Sequence, residues 1–130
     1  MDNARRFEAQ QWLVKAQQDL KVACLLFDTE ETVLSAVVYH CQQAAEKALK
    51  AYLTDQGLQF PKTHDLTALL ALCLSIDQGF GTLEDAAEVL TSYATEFRYP
   101  ADVMEPDRQE SEEAIALAET SVQLVVSLLS

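Results

Sequence analysis

From Ala36 to Leu53 the chain reads AVVYHCQQAAEKALKAYL, and its apolar and small residues fall on two adjacent rows. Leu34, Val38, Cys41, Ala45, Ala48 and Tyr52 step by four and three, and Val33, Val37, His40, Ala44 and Ala51 form the second row. The resulting stripe is wider than a surface helix needs, so the spacing predicts a helix covered by neighbours on two or more sides. Its alanines would let those neighbours approach closely. Gln43, Glu46, Lys47, Lys50 and Thr54 share the remaining polar face. This stretch is read as the central helix of an all-α bundle.

The same periodicity places four more helices. Leu13, Ala16, Leu20, Ala23, Cys24 and Phe27 predict a helix over about Phe7 to Phe27, stopped by the acidic turn Asp28–Glu31. The central helix follows to about Gln56, where Gly57 closes it. Thr63 is an N-cap candidate for a third helix, about His64 to Ile76, with Asp65 in its first turn. Residues 77–81 read as a turn. Thr82 then caps a fourth helix whose core row runs from Leu83 through Ala86, Ala87, Leu90, Tyr93 and Ala94 to Phe97. Pro100 and Pro106 bracket a loop. The last helix, about Arg108 to Leu129, buries Ala114, Leu117, Ala118, Val122, Leu124, Val125 and Leu128. Short loops between long helices predict an up-and-down four-helix bundle with an additional fifth helix.

Composition narrows the class without changing the fold. The chain has 130 residues, enough for one domain, with 49% hydrophobic and 23% charged residues. Three cysteines, Cys24, Cys41 and Cys73, each fall in an apolar helical row, which suits free thiols in a reducing compartment rather than a metal site. The N-terminus has no apolar run of a signal peptide, and Val122 to Leu129 is too short to span a membrane. A cytoplasmic protein without a membrane segment is expected.

The net charge is −12 and uneven: residues 1–65 hold seven Lys/Arg against nine Asp/Glu, and residues 66–130 hold two against twelve. Such acidity opposes binding to duplex DNA. If the helices alternate in direction, Arg5, Arg6, Lys50, Lys62, Arg98 and Arg108 collect at one end with His64. That end is where several cations could converge on an anion.

The run HCQQAAEKALKAYL, followed by Lys62-Thr63-His64-Asp65-Leu66 and later by Phe97-Arg98-Tyr99-Pro100, resembles the HEPN domain over roughly Phe7 to Leu129. The name denotes a domain of higher eukaryotes and prokaryotes with suggested nucleotide binding. The resemblance implies a helical bundle and a homodimer, which the excess of apolar residues over one face also suggests. Many HEPN proteins are ribonucleases in which an arginine is followed, after four to six residues, by a histidine. Arginine would steady a phosphoryl oxygen and histidine would move a proton during attack by a 2′-hydroxyl. Arg98 matches that arginine, but the positions for the histidine are Val103, Met104 and Glu105.

The resemblance therefore implies a non-catalytic interaction module. Similar stand-alone HEPN proteins are encoded beside a minimal nucleotidyltransferase and bind it, in some cases as a toxin–antitoxin pair. The alternatives are a metal-independent endoribonuclease toxin and a purely structural helical adaptor. No Gly-rich phosphate loop, HExxH or GxSxG is present, and no catalytic residue, metal or cofactor is assigned. The candidate nucleotide- or partner-binding residues are Arg98, His64, Lys50, Lys47 and Tyr99. His64 would lie beside the free N–H donors of a helix start, Arg98 offers a planar donor fork, and Tyr99 could stack on a base. The nearby carboxylates favour a mononucleotide over a polyanion. His40 reads as a satisfied core histidine, and Glu46–Lys50 as a solvated i,i+4 pair.

Overall fold

Among the described residues, the buried rows of the sequence organise a bundle of five α-helices. A computed structural model describes residues 3–29, 33–94 and 105–130. The helices are α1 (Asn3–Phe27), α2 (Leu34–Asp55), α3 (Leu66–Leu74), α4 (Glu84–Thr91) and α5 (Arg108–Leu129). A 3-10 helix, Gln78–Leu83, leads into α4, and a 3-10 turn, Ser92–Ala94, follows it. The described residues contain no strand. The all-α expectation holds, and none of these helices is long and apolar enough to cross a membrane.

α2 is central because it packs against every other helix. Ala44, Ala45, Ala48 and Ala51 are buried on it, and Ala9, Ala16 and Ala23 are buried on α1. With no bulk beyond Cβ on either side, the two helices can pack at short axial distance. Larger residues fill the far side, where the Tyr52 and Phe80 rings meet with centroids 4.7 Å apart. α2 ends in a Schellman motif: Leu58 N–H donates to Leu53 O and Gly57 N–H to Thr54 O, each at 3.0 Å, with Gly57 at a φ of 72°. That ending was expected at Gly57. The predicted span of α5 also matches, opened by a capping box between Asp107 and Glu110.

Other boundaries differ. Thr63 does not cap α3; its Oγ1 accepts from the Asp65 N–H at 3.0 Å, and Asp65 is the cap, accepting from the Thr67 N–H at 2.9 Å. His64 therefore precedes the helix. Thr82 does not cap α4. Asp77 instead accepts from the Gly79 N–H and opens the 3-10 helix, while the Thr82 hydroxyl donates back to Gly79 O. Leu128 and Val33, expected in the core, are exposed, whereas Leu129 is buried. Phe97 and Pro100 lie outside the described residues.

The directions of α3 and α5 also depart from simple alternation. Gln42 donates to His64 O at 3.1 Å, and the Cys73 thiol lies 4.0 Å from Leu49 O. α3 thus advances along α2 in the same sense, because residues 58–65 run back over α2 before the helix starts. α5 is antiparallel to α1: Arg6 donates to Leu129 O at 2.8 Å, and the Arg108 guanidinium stacks 4.1 Å from the Phe27 ring centre. Arg108 is therefore at the opposite end from Arg6, and the single basic end loses one of its six members.

Candidate functional site

The polar face of α2 is not solvated. Glu46 and Lys50 are one helical turn apart, with side chains only 4% and 10% exposed. Lys50 Nζ donates to Glu46 Oε2 at 3.1 Å. α1 brings Trp12 and the 58–65 segment brings Phe60 over this pair, with the ammonium 5.6 and 5.9 Å from their ring centres. The two rings contact each other edge to face. Aromatic faces attract an ammonium group, which suits Lys50 to its place beneath Trp12 and Phe60. The solvated reading is corrected: the covering residues come from two segments distant in sequence.

Glu46 also holds His64. His64 Nδ1 lies 2.7 Å from Glu46 Oε1, and the imidazole is 60% exposed. A carboxylate only accepts, so Nδ1–H donates and Nε2 is left free of this bond. Gln42 donates from Nε2 to Glu46 Oε1 and to His64 O, both at 3.1 Å, and accepts from Gln43 Nε2 at 2.7 Å. One buried carboxylate thus positions a lysine, a histidine and the chain entering α3. An open cavity of about 390 Å³ adjoins Phe60 and is lined by Arg5, Glu8, Thr54, Gly57, Leu58 and Gln59.

A second carboxylate, Asp19 of α1, binds the rest of the row. Lys47 Nζ donates to Asp19 Oδ2 at 2.6 Å, and His40 Nδ1 lies 2.9 Å from Oδ1. His40 has a partner, as expected, but it is not a core residue, since its side chain is 30% exposed.

Of the candidate residues, His64 and Lys50 are brought together on Glu46, while Lys47 turns to Asp19. Arg98 and Tyr99 lie outside the described residues. The expected free donors at the start of α3 are already used: the Leu66 N–H donates to Thr91 Oγ1 and the Thr67 N–H to Asp65. Any anion here would meet side chains rather than a bare helix end. The Thr67 hydroxyl, helped by backbone N–H groups of Thr67 and Ala68, holds the Asp65 carboxyl below its ordinary pKa. Burial pushes the Cys41 and Cys73 thiols up to about 12. All three cysteines are free, and no group of described residues is arranged to hold a metal ion.

Sequence reasoning missed Asp19, Gln42, Trp12 and Phe60 as members of the cluster. Asp19 did carry a signal, since Trp12, Ala16, Asp19 and Ala23 form a four-three row that places an acid on the buried side.

Comparison with known proteins places the chain in a family. A model described as the HEPN domain matches residues 9–128. Among solved structures, TT1696 from Thermus thermophilus is similar, with 29% sequence identity and a TM-score of 0.77, over 92% of this chain and 96% of that one. No curated protein matches.

Proposed function

The chain belongs to the HEPN family, and from that premise we propose that it is a non-catalytic interaction module whose working face is built around Glu46, His64 and Lys50. Its partner is a minimal nucleotidyltransferase, in a toxin–antitoxin-like pairing, and its small ligand is a mononucleotide. The observation that carries this reading is the Glu46 hub. It commits a buried carboxylate to holding one buried cation and, at the surface, one exposed imidazole. Fixed donors beside an aromatic pair suit a phosphate and a base. This reading also assigns Arg98 and Tyr99, from the sequence, to the binding of that ligand.

The case against catalysis is chemical. The arginine of the nuclease motif lacks its histidine, with Val103, Met104 and Glu105 in its place. One observation favours a second reading, an endoribonuclease: Glu46 orients His64 in the manner that a general base requires. Incubation with a mixed RNA pool separates the two. The RNA should remain intact, and cleavage that disappears in Arg98→Ala or His64→Ala would make the protein an enzyme. Binding is tested by calorimetry with ATP and with the candidate nucleotidyltransferase. An Arg98→Ala/His64→Ala variant should bind at least about tenfold more weakly, since desolvated charged contacts contribute a few kcal/mol each. Equal affinity for every ligand would remove the site.

A further inference from the structure

The chain has two histidines, His40 and His64, and both are held in the same way. His64 Nδ1 lies 2.7 Å from Glu46 Oε1, and His40 Nδ1 lies 2.9 Å from Asp19 Oδ1. Each carboxylate is largely buried and takes a lysine on its other oxygen, Lys50 on Glu46 and Lys47 on Asp19. A carboxylate on Nδ1 fixes the proton there, so the in-plane lone pair of Nε2 points away from the clamp. Among the described residues, neither Nε2 has a hydrogen-bond partner. The two rings differ in access. The His64 imidazole is exposed, on the segment that returns over α2, whereas His40 is partly buried and meets the Tyr39 ring edge to face.

We propose that His64 Nε2 is a phosphoryl acceptor, a site at which the chain is phosphorylated by a donor with a labile P–N or P–O–P bond. The Nε2 lone pair attacks phosphorus, and an N–P bond forms. The bond from phosphorus to the leaving group breaks, and its electron pair departs with ammonia from a phosphoramidate or with a nucleoside diphosphate from a triphosphate. No proton leaves the ring, because Nδ1 keeps the one it donates to Glu46. The ring therefore becomes an imidazolium that carries a phosphoryl dianion.

Glu46 is what suits His64 to this step. Positive charge develops on the ring beside Oε1, 2.7 Å from Nδ1, and a counter-charge fixed in advance at that place lowers the barrier. Gln42 donates to the same oxygen and to His64 O, so it ties the carboxylate and the histidine backbone together. Glu46 and Gln42 are positioning residues, and His64 is the nucleophile. The product adds a dianion with new acceptor oxygens to an exposed point beside α2, a change of charge that cationic groups recognise. This chemistry needs only the imidazole, its carboxylate and a donor, so it stands apart from the nucleotide- and partner-binding reading.

Potassium phosphoramidate, which phosphorylates imidazoles without an enzyme, tests it on the full chain. Mass spectrometry follows the added phosphoryl group and its residue, and phosphorus–nitrogen couplings in isotopically labelled protein identify the nitrogen. Wild type should take the group on His64, at Nε2 alone, with His40 modified more slowly. His64→Asn should leave only the slow reaction at His40. Glu46→Gln keeps an acceptor for Nδ1–H but not the charge, and should slow the reaction at His64 at least about tenfold. The helical circular dichroism spectrum should be unchanged in both variants. No incorporation, modification chiefly at His40 or at Nδ1 of His64, or an unchanged rate in a helical Glu46→Gln chain would overturn the proposal. The nitrogen and the order of the two histidines are read on wild type, so they decide the matter even if Glu46→Gln unfolds.

Discussion

Glu46 is the residue on which most of the local structure depends. Its side chain is almost wholly enclosed and holds Lys50, His64 and Gln42 at once. Removing it leaves a buried ammonium without its counter-charge, and breaking such a pair costs about 3–5 kcal/mol. Urea unfolding of Glu46→Ala should show a loss of that order, with a smaller loss for Glu46→Gln, which keeps an acceptor for Lys50. A loss under about 1 kcal/mol for the alanine variant would mean that the pair is effectively solvated. The pairing itself was legible, because an acid and a base four residues apart on a helix face each other. Its burial was not legible, since Trp12 and Phe60 reach it from segments that no local spacing connects.

At the level of elements, hydrophobic spacing gave the helices and their buried rows more reliably than it gave their starts. Gly57 could be read because a left-handed φ singles out glycine. The start of α3 was misplaced because Thr63 and Asp65 are both good caps, and only the tertiary course of residues 58–65 decides which one is used. The Asp65 cap has a pH signature. Its folded pKa is lowered by the hydrogen bond from Thr67, so its contribution is fully present above the unfolded value of about 3.9 and is lost as pH falls through the lower folded value. Asp65→Ala should cost about 1 kcal/mol at neutral pH. The difference from wild type, measured by urea unfolding from pH 7 down to the acid limit of folding, should shrink below about pH 4. A gap independent of pH would contradict the ionised cap.

For the whole molecule, the family and the all-α bundle were recoverable from QAAEKALKA, THDL and RYP in order, together with the apolar rows. The end assignment was only partly recoverable. Strict alternation put Arg108 with Arg6, whereas α5 runs antiparallel to α1 and carries Arg108 to Phe27. His64 still meets Lys50, but through the returning 58–65 segment and Glu46 rather than through helix ends lined up together. This side of α2 is the proposed binding face. Titrating isotopically labelled protein with ATP, and following the backbone amide shifts, tests it most directly. The largest changes should cluster at residues 42–50 and 62–67 and saturate together. Shifts that never saturate, or that centre on Phe27 and Arg108 instead, would contradict it.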